Sequence, residues 1–340
     1  PSPQHAAASV TTDAALRAGA APADRAAPHP PHPAHPPHTG TLARAVRAVS
    51  GVTVLSRLGG LVRDVLVVRL FGATALGSAF AAAFAIPNLF RRLLGEGALS
   101  AAFLPEYAQA QKHDPALADR LASLTIAALL LVTAALTVVI ELALLLVLLL
   151  APGSPERVLS LQLVMVMLPF MPLVCVAAIL SGMLQVHGKF GPAASGPVVL
   201  NAFIIAVAAY YLLIAGRAGD ITAAFAIGVV TVLSGVTQCL WFARLLRPHV
   251  RWTRDWSPAR DAARRMLRRF GPVLLGLGTL QINTFLDTLI AMWPVWVGPT
   301  IAGRTYPLDD ASNVILTAAQ RLYQFPLGVF GIAVATAVFP

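Results

Sequence analysis

Apolar residues are gathered along the chain into eight stretches that are long enough, or nearly so, to cross a lipid bilayer. A helix needs about 20 residues to cross about 30 Å of hydrocarbon. The stretches cover residues 45–71, 78–94, 121–145, 158–184, 197–215, 223–243, 272–296 and 312–339. This pattern predicts an all-α polytopic membrane protein with about eight transmembrane helices in the chain.

Polar segments between the stretches predict the domain organisation. Residues 1–42 are rich in Pro, His and Ala and cannot bury a core, so we expect a disordered cytoplasmic tail. Residues 43–247 hold helices 1–6 as an N-terminal lobe. Residues 248–270 form a basic amphipathic cytoplasmic connector, whose Ala262, Met266 and Leu267 we expect to lie on lipid. Residues 271–340 begin a second lobe with helices 7 and 8. Because the chain opens with Pro1 rather than Met, we expect a truncated piece of a longer protein.

Composition and charge agree with a membrane protein and set its orientation. Charged residues make up 12% of the chain, against about 25% in soluble domains, and the mean hydropathy is +0.73. With the N-terminus in the cytoplasm, eighteen Lys and Arg residues fall in inside segments and four in outside loops. This is the positive-inside distribution. The net charge of +10 therefore indicates membrane orientation, and we expect no nucleic-acid partner.

Arginines inside apolar stretches are the main functional signal. A guanidinium at bilayer depth costs about 3 kcal/mol or more, so it is expected to face protein or water and to hold an anion. Five arginines in the first two stretches fit this description: Arg57, Arg63, Arg69, Arg91 and Arg92. The pattern predicts a cavity that binds phosphate or carboxylate groups. Arg63 could instead pair with Asp64 or Glu96, and the pair at the end of the second stretch could be ordinary interfacial anchors.

Helical geometry limits how two of these arginines can share a cavity. Arg57 and Arg63 are six residues apart, which places them about 120° out of phase on an α-helix. Both can line one cavity only if the helix is unwound or presents a broad face to it.

An acidic residue in the seventh stretch, Asp287, lies one helical turn after Asn283. In apolar surroundings a carboxylate must be paired, protonated or bound to a cation. The sequence leaves oxygen ligation of a cation together with Asn283 and a structural hydrogen bond equally open. The sequence contains no nucleophile–base pair, phosphate-binding glycine loop or metal-ligand spacing. From the arginines we expect anion binding and not bond breaking.

Three long motifs resemble one family. They are SRLGGLVRDVLVVRLFGA from Ser56, AFAIPNLFRRLLGEGALSAAFLPEYA from Ala83, and AQRLYQFPLGVFGIAVATAVFP from Ala319. They resemble the MurJ (MviN) lipid II flippases of the multidrug/oligosaccharidyl-lipid/polysaccharide exporter superfamily. The resemblance implies about fourteen transmembrane helices in two six-helix lobes, with two further helices that form a groove for the lipid tail.

The resemblance also assigns candidate site residues and shows departures. It implies that substrate is bound by Arg57, Arg63, Arg91, Arg92 and Arg321, with Asp64 and Glu96 in support. It also implies that Asp287 is similar to a sodium-ligating aspartate of some members. Acidic residues common in the family are here Ser78, Gln320 and Gln324. These departures leave the arginines intact but put gating through the missing carboxylates in doubt.

We therefore expect a lipid II flippase in a bacterial inner membrane that works by alternating access, as a monomer and without a cofactor. Sodium or the membrane potential would drive it, and its partners would be lipid II and membrane lipids. Two alternatives stay open: another exporter of the superfamily, for polysaccharide lipids or drug cations, and a non-transporting cell-wall scaffold. The departures at Ser78, Gln320 and Gln324 also leave open that this copy of the protein is inactive.

Overall fold

The computed structural model describes residues 39–322, with side chains from residue 51 onward except those of Leu277 and Leu280. Nearly all regular structure in this range is helical. In chain order the α-helices are α1 (Thr39–Phe71), α2 (Ala75–Phe90), α3 (Ala98–His113), α4 (Pro115–Leu150), α5 (Pro155–Met167), α6 (Phe170–Val186), α7 (Phe190–Ala194), α8 (Gly196–Ala209), α9 (Ile221–Leu246), α10 (Arg260–Ala291) and α11 (Trp293–Trp296). Residues 312–322 form a further helix, α12.

Short irregular elements connect these helices. Five-residue π-helical turns follow α2 (Arg91–Gly95) and α8 (Tyr210–Ile214), and a 3₁₀ turn (Ser257–Ala259) precedes α10. The two strands Thr300–Ile301 and Arg304–Thr305 pair antiparallel in a small hairpin. The predicted N-terminal tail lies outside the described residues, apart from the start of α1.

Four spans within the described residues are long and apolar enough to cross a membrane: α4, α5 with α6, α8 with its π turn, and α9. The count is five if the two parts of α10, which meet at a bend of 48°, are taken as one span. This multi-pass architecture agrees with the predicted class. The remaining predicted spans differ for identifiable reasons, because α1 carries charged residues, α2 has only 16 residues, and the eighth stretch runs past residue 322.

Helix ends are set by residues that cap exposed backbone groups. The Asp114 side chain accepts a hydrogen bond from the Leu117 backbone N–H, and Ser154 does the same for Arg157. In both cases a proline occupies the first helical position, where its missing N–H costs nothing. These caps fix the starts of α4 and α5.

Two apolar clusters hold the helices together. One joins α3, α4, α6 and α9 to the beginning of α10, and its largest members include Tyr107, Phe103 and Phe242. The other joins the end of α1, where Leu70 and Phe71 are buried, to α2, α5, α6, α8 and α9 around Phe170 and Met167. Because α6 and α9 contribute to both clusters, they connect the two.

The connector packs against protein, and the expectation that its apolar face lies on lipid was wrong for two of its three residues. Ala262 and Met266 are 4% and 5% exposed and belong to the cluster formed with α3, α4 and α6. Only Leu267 is exposed, at 57%. Residues 260–270 are the first part of α10, so most of the connector belongs to the same helix as the seventh span.

An ion-pair clamp holds the connector to α3. The Glu106 side chain is 8% exposed, its Oε1 lies 2.8 Å from Arg269 Nη1, and its Oε2 lies 3.8 Å from Arg265 Nε. A buried carboxylate is stable as an anion only while such partners compensate its lost hydration. The clamp therefore fixes the start of α10 against the first lobe.

We expect Arg269→Ala to destabilise the protein by about 3 kcal/mol, because Glu106 stays buried with only its more distant partner. Glu106→Leu in the same protein should restore much of the loss by removing the uncompensated charge. Thermal unfolding in detergent checks both, with Arg268→Ala as the control because Arg268 is exposed and makes no ion pair with the described residues. Equal melting temperatures for the Arg268 and Arg269 variants would contradict the clamp.

Candidate substrate-binding site

A cavity of about 970 Å³ opens among α1, α2, α6, α8, α9, α10 and α12. The structure brings together all seven residues that the sequence predicted as substrate-binding or supporting. They line this one cavity: Arg57, Arg63, Asp64, Arg91, Arg92, Glu96 and Arg321. Their convergence comes from elements that are up to 264 residues apart in the chain, from Arg57 to Arg321.

Helix α1 presents a broad face to the cavity, which is how Arg57 and Arg63 both reach it. The helix is continuous from Thr39 to Phe71, so it is not unwound between the two arginines. Its cavity-lining residues, Thr53, Ser56, Arg57, Gly60, Leu61, Arg63 and Asp64, cover more than one stripe of the helix. Of the two geometries that the sequence left open, the structure therefore shows the broad face.

Arg63 is held on three sides. Its Nε and Nη2 donate hydrogen bonds to Asp64 Oδ1 at 2.9 and 2.7 Å, and its Nη1 donates to Asn201 Oδ1 at 2.9 Å. The guanidinium carbon lies 5.2 Å from the centre of the Phe84 ring, within cation–π range. These contacts fix the direction of the positive charge before any ligand arrives.

Asn201 on α8 is a site residue that the sequence reasoning missed. It is 4% exposed, and besides accepting from Arg63 its Nδ2 donates to the Ser56 backbone oxygen at 3.1 Å. Gly59 and Gly60 of α1 face this amide, and a Cβ on either would lie in ordinary contact with Asn201 Nδ2, at 3.5 and 3.7 Å. The available signal was an amide inside an apolar stretch.

Asp64 connects two arginines from different parts of the chain. Its Oδ1 accepts from Arg63, and its Oδ2 lies 3.6 Å from Arg321 Nε on α12. The carboxylate therefore compensates part of the charge of both guanidiniums. It also ties α12 to α1 across the cavity.

The π turn after α2 positions the other pair. Arg91 donates to Asn88 Oδ1 at 3.2 Å and forms an ion pair with Glu96, so Arg91 is the arginine that Glu96 compensates. Arg57 and Arg92 line the cavity without a hydrogen bond or ion pair to any described residue. Five guanidiniums and two carboxylates leave the described lining with three net positive charges.

The proposed sodium ligands lie elsewhere. Gln281, Thr284, Phe285 and Thr288 are the residues by which α10 lines the cavity. At about 100° per residue, Asp287 and Asn283 lie on a face about 130° away from that side. No group of three or more His, Cys, Asp or Glu residues that could hold a metal is present among residues 39–322. The sodium site stays a prediction.

The departures from the family pattern fall in two places. Ser78 on α2 does not line the cavity but contacts the start of α12. Its Oγ accepts a hydrogen bond from the Val314 N–H at 3.2 Å, and its carbonyl oxygen accepts one from Asn313 Nδ2 at 2.9 Å. A neutral serine thus caps α12 here. Gln320 lines the cavity, and Gln324 lies outside the described residues.

A membrane-spanning helical bundle around a positively charged cavity defines a polytopic membrane protein. Solved structures share the fold, including an outward-facing multidrug resistance MATE family transporter, with a TM-score of 0.59 at 20% identity over 86% of this chain and 63% of that one. The structure titled lipid II flippase MurJ, inward closed conformation, has a TM-score of 0.65 at 25% identity over 85% of this chain and 57% of that one.

The model of the lipid II flippase MurJ family matches residues 67–340, and the chain belongs to this family. It is 32% identical over 303 residues to the probable lipid II flippase MurJ of Vibrio cholerae and 28% identical over 305 residues to that of Rickettsia prowazekii. Each match covers 85% of this chain and 54% of the relative. The chain thus spans about half the length of these relatives.

Proposed function

We propose that the protein translocates lipid II, the undecaprenyl-pyrophosphate-linked peptidoglycan precursor, from the cytoplasmic to the outer leaflet by alternating access. The observation that carries the proposal is the convergence of five arginines on one cavity with an excess of positive charge. A drug-cation exporter would need the opposite sign, because guanidiniums repel cations.

The arginines differ in whether their hydrogen-bond donors are already engaged by other residues. Guanidinium suits a pyrophosphate because its planar fork donates parallel hydrogen bonds. Arg57 and Arg92 have uncommitted donors and would make the first contacts with the anion. Arg63 and Arg321 share Asp64, so an incoming phosphate would compete with that carboxylate for them. Substrate binding would then loosen the tie between α1 and α12, which is the differential interaction that alternating access requires.

Orientation and energy source extend the proposal. The N-terminus would be cytoplasmic in a bacterial inner membrane, with the arginine-rich residues 251–269 at the cytoplasmic surface. The membrane potential would supply about 2.3 kcal/mol for each charge moved through 100 mV. Sodium at Asp287 is the other proposed source, and the protein would act as a monomer.

Proteoliposomes that carry fluorescent lipid II test the proposal. We expect Arg57→Ala combined with Arg92→Ala to lower the translocation rate at limiting substrate by tenfold or more, since a hydrogen bond to a charged group contributes about 1.5–3 kcal/mol. Arg69→Ala is the matched control, because Arg69 is exposed on the same α1 and does not line the cavity.

Rescue of a flippase-depleted strain provides the second readout. The cavity variant should fail and the control should succeed. Full rescue by the cavity variant would contradict transport by these arginines and would favour the scaffold.

A further inference from the structure

The part of the cavity lining that α6, α7, α8 and α9 contribute is uncharged. The polar side chains of this part include Ser181 and Gln185 on α6 and Gln238 on α9. Ser181 and Gln185 are one helical turn apart and therefore share a face. This surface suits a neutral hydrogen-bonding group better than a second anion.

Gln238 is the unusual member. It is 5% exposed and borders the cavity, yet its Nε2 has no hydrogen-bond partner among the described residues. A buried amide nitrogen without an acceptor costs free energy, so native structures seldom keep one without a reason. The terminal torsion of glutamine is broad, which lets the amide turn toward the cavity at little cost.

Glycine at position 196 makes room for this amide. A Cβ there would lie 2.9 Å from Gln238 Oε1 and 3.6 Å from the Phe242 ring. A methyl group at this position would push the flexible end of Gln238 aside, so glycine leaves the amide where it is. The amide of Gln238 thus lies at the cavity wall against the start of α8, with its Nε2 donor unused.

Helix α8 also sets the spacing between this amide and the arginines. Gly196, beside Gln238, is five residues before Asn201, which binds Arg63. Five residues correspond to about 7.5 Å along the helix axis. A ligand with a phosphate at Arg63 would therefore place its next chemical group, and not its phosphate, near Gln238.

We infer that Gln238, with Gln185 in the lining of the same cavity, forms a second subsite that binds the carbonyl oxygen of a neutral amide in the substrate headgroup. The inference rests on the proposed function and extends it to recognition of the uncharged part of the substrate. Two sources fit this chemistry: an acetamido group on a sugar, and a peptide bond.

Binding of three lipids to the protein in nanodiscs separates the outcomes. The probes are undecaprenyl pyrophosphate, the same lipid bearing one N-acetylhexosamine, and lipid II. Gln238→Leu should weaken lipid II binding about fivefold to tenfold and leave undecaprenyl pyrophosphate unchanged. Loss with the hexosamine lipid identifies the acetamido group as the source. Loss with lipid II alone places the amide further along the headgroup, in the second sugar or the peptide.

Gln111→Leu is the matched control, because the Gln111 Oε1 is also buried without a partner but lies outside the cavity. It should leave all three affinities unchanged. Equal loss for the three lipids in Gln238→Leu, or no loss for any, would overturn the subsite. If Gln238→Leu does not fold, Gln185→Leu carries the same test, since Gln185 is exposed and its loss opens no core.

Failure of the proposed function gives a different pattern. Arg57→Ala should weaken all three lipids, because each carries the pyrophosphate. If it weakens none while Gln238→Leu weakens the glycosylated lipids, the arginine site is wrong and the amide subsite stands.

Discussion

Replacing Arg63 by alanine is expected to reduce lipid II transport by at least a hundredfold. The substitution removes one of the cavity's positive charges and leaves Asp64 with a single partner, Arg321, at 3.6 Å. It also leaves the Oδ1 of Asn201, a residue that is 4% exposed, without the hydrogen bond that Arg63 donates to it. Breaking a buried charge network costs about 3–5 kcal/mol, and each 1.4 kcal/mol is a factor of ten.

Arg63→Lys tests whether charge or geometry matters. A lysine ammonium keeps the charge but cannot reproduce the planar fork that donates to Asp64 and Asn201 together. We therefore expect the lysine variant to transport poorly as well, and Asn201→Leu to lose part of the activity because Arg63 keeps Asp64 alone. Translocation in proteoliposomes measures all three variants, with Arg69→Ala as the control. Wild-type activity in Arg63→Lys would show that positive charge alone suffices.

The cavity could be predicted from sequence because guanidiniums in apolar stretches have few alternatives. Membrane depth penalises a charged side chain so strongly that five such arginines had to meet protein or water. Asn201 and Gln238 carry no comparable signal. An amide costs less to bury than a charge, so an amide in an apolar stretch is a weak signal. The partner of Asn201, Arg63, is 138 residues away in the chain.

The connector shows another limit of sequence patterns. An amphipathic helix reveals that one face is apolar, but lipid and a protein core are both apolar. The decisive feature was Glu106, a single acid in α3 that pairs with Arg265 and Arg269. Because the pairing bridges about 160 residues of sequence, from Glu106 to Arg265 and Arg269, the residues of the connector could not show that Met266 faces protein.

Gly97→Ala is expected to disrupt the arginine pair although it removes no functional group. The turn from α2 into α3 is so tight that a Cβ on Gly97 would lie 2.3 Å from the Arg92 carbonyl oxygen and 3.0 Å from that of Leu93. Both atoms belong to the backbone and cannot rotate away, so the turn itself must move. Gly95 is similarly confined, since its Cβ would lie 2.8 Å from Ala178 Cβ.

The expected result is a lower melting temperature together with a loss of pyrophosphate binding, because the displaced backbone carries the Arg92 side chain. Overpacking costs about 1–3 kcal/mol where the surroundings relax, and a backbone clash allows little relaxation. Gly191→Ala is the control: nothing lies within 4 Å of its Cβ position in α7, and alanine favours helix over glycine. If Gly97→Ala melted and bound undecaprenyl pyrophosphate like Gly191→Ala, the turn would not be what orients Arg92, and the two arginines would owe their positions to α6, which packs against the turn.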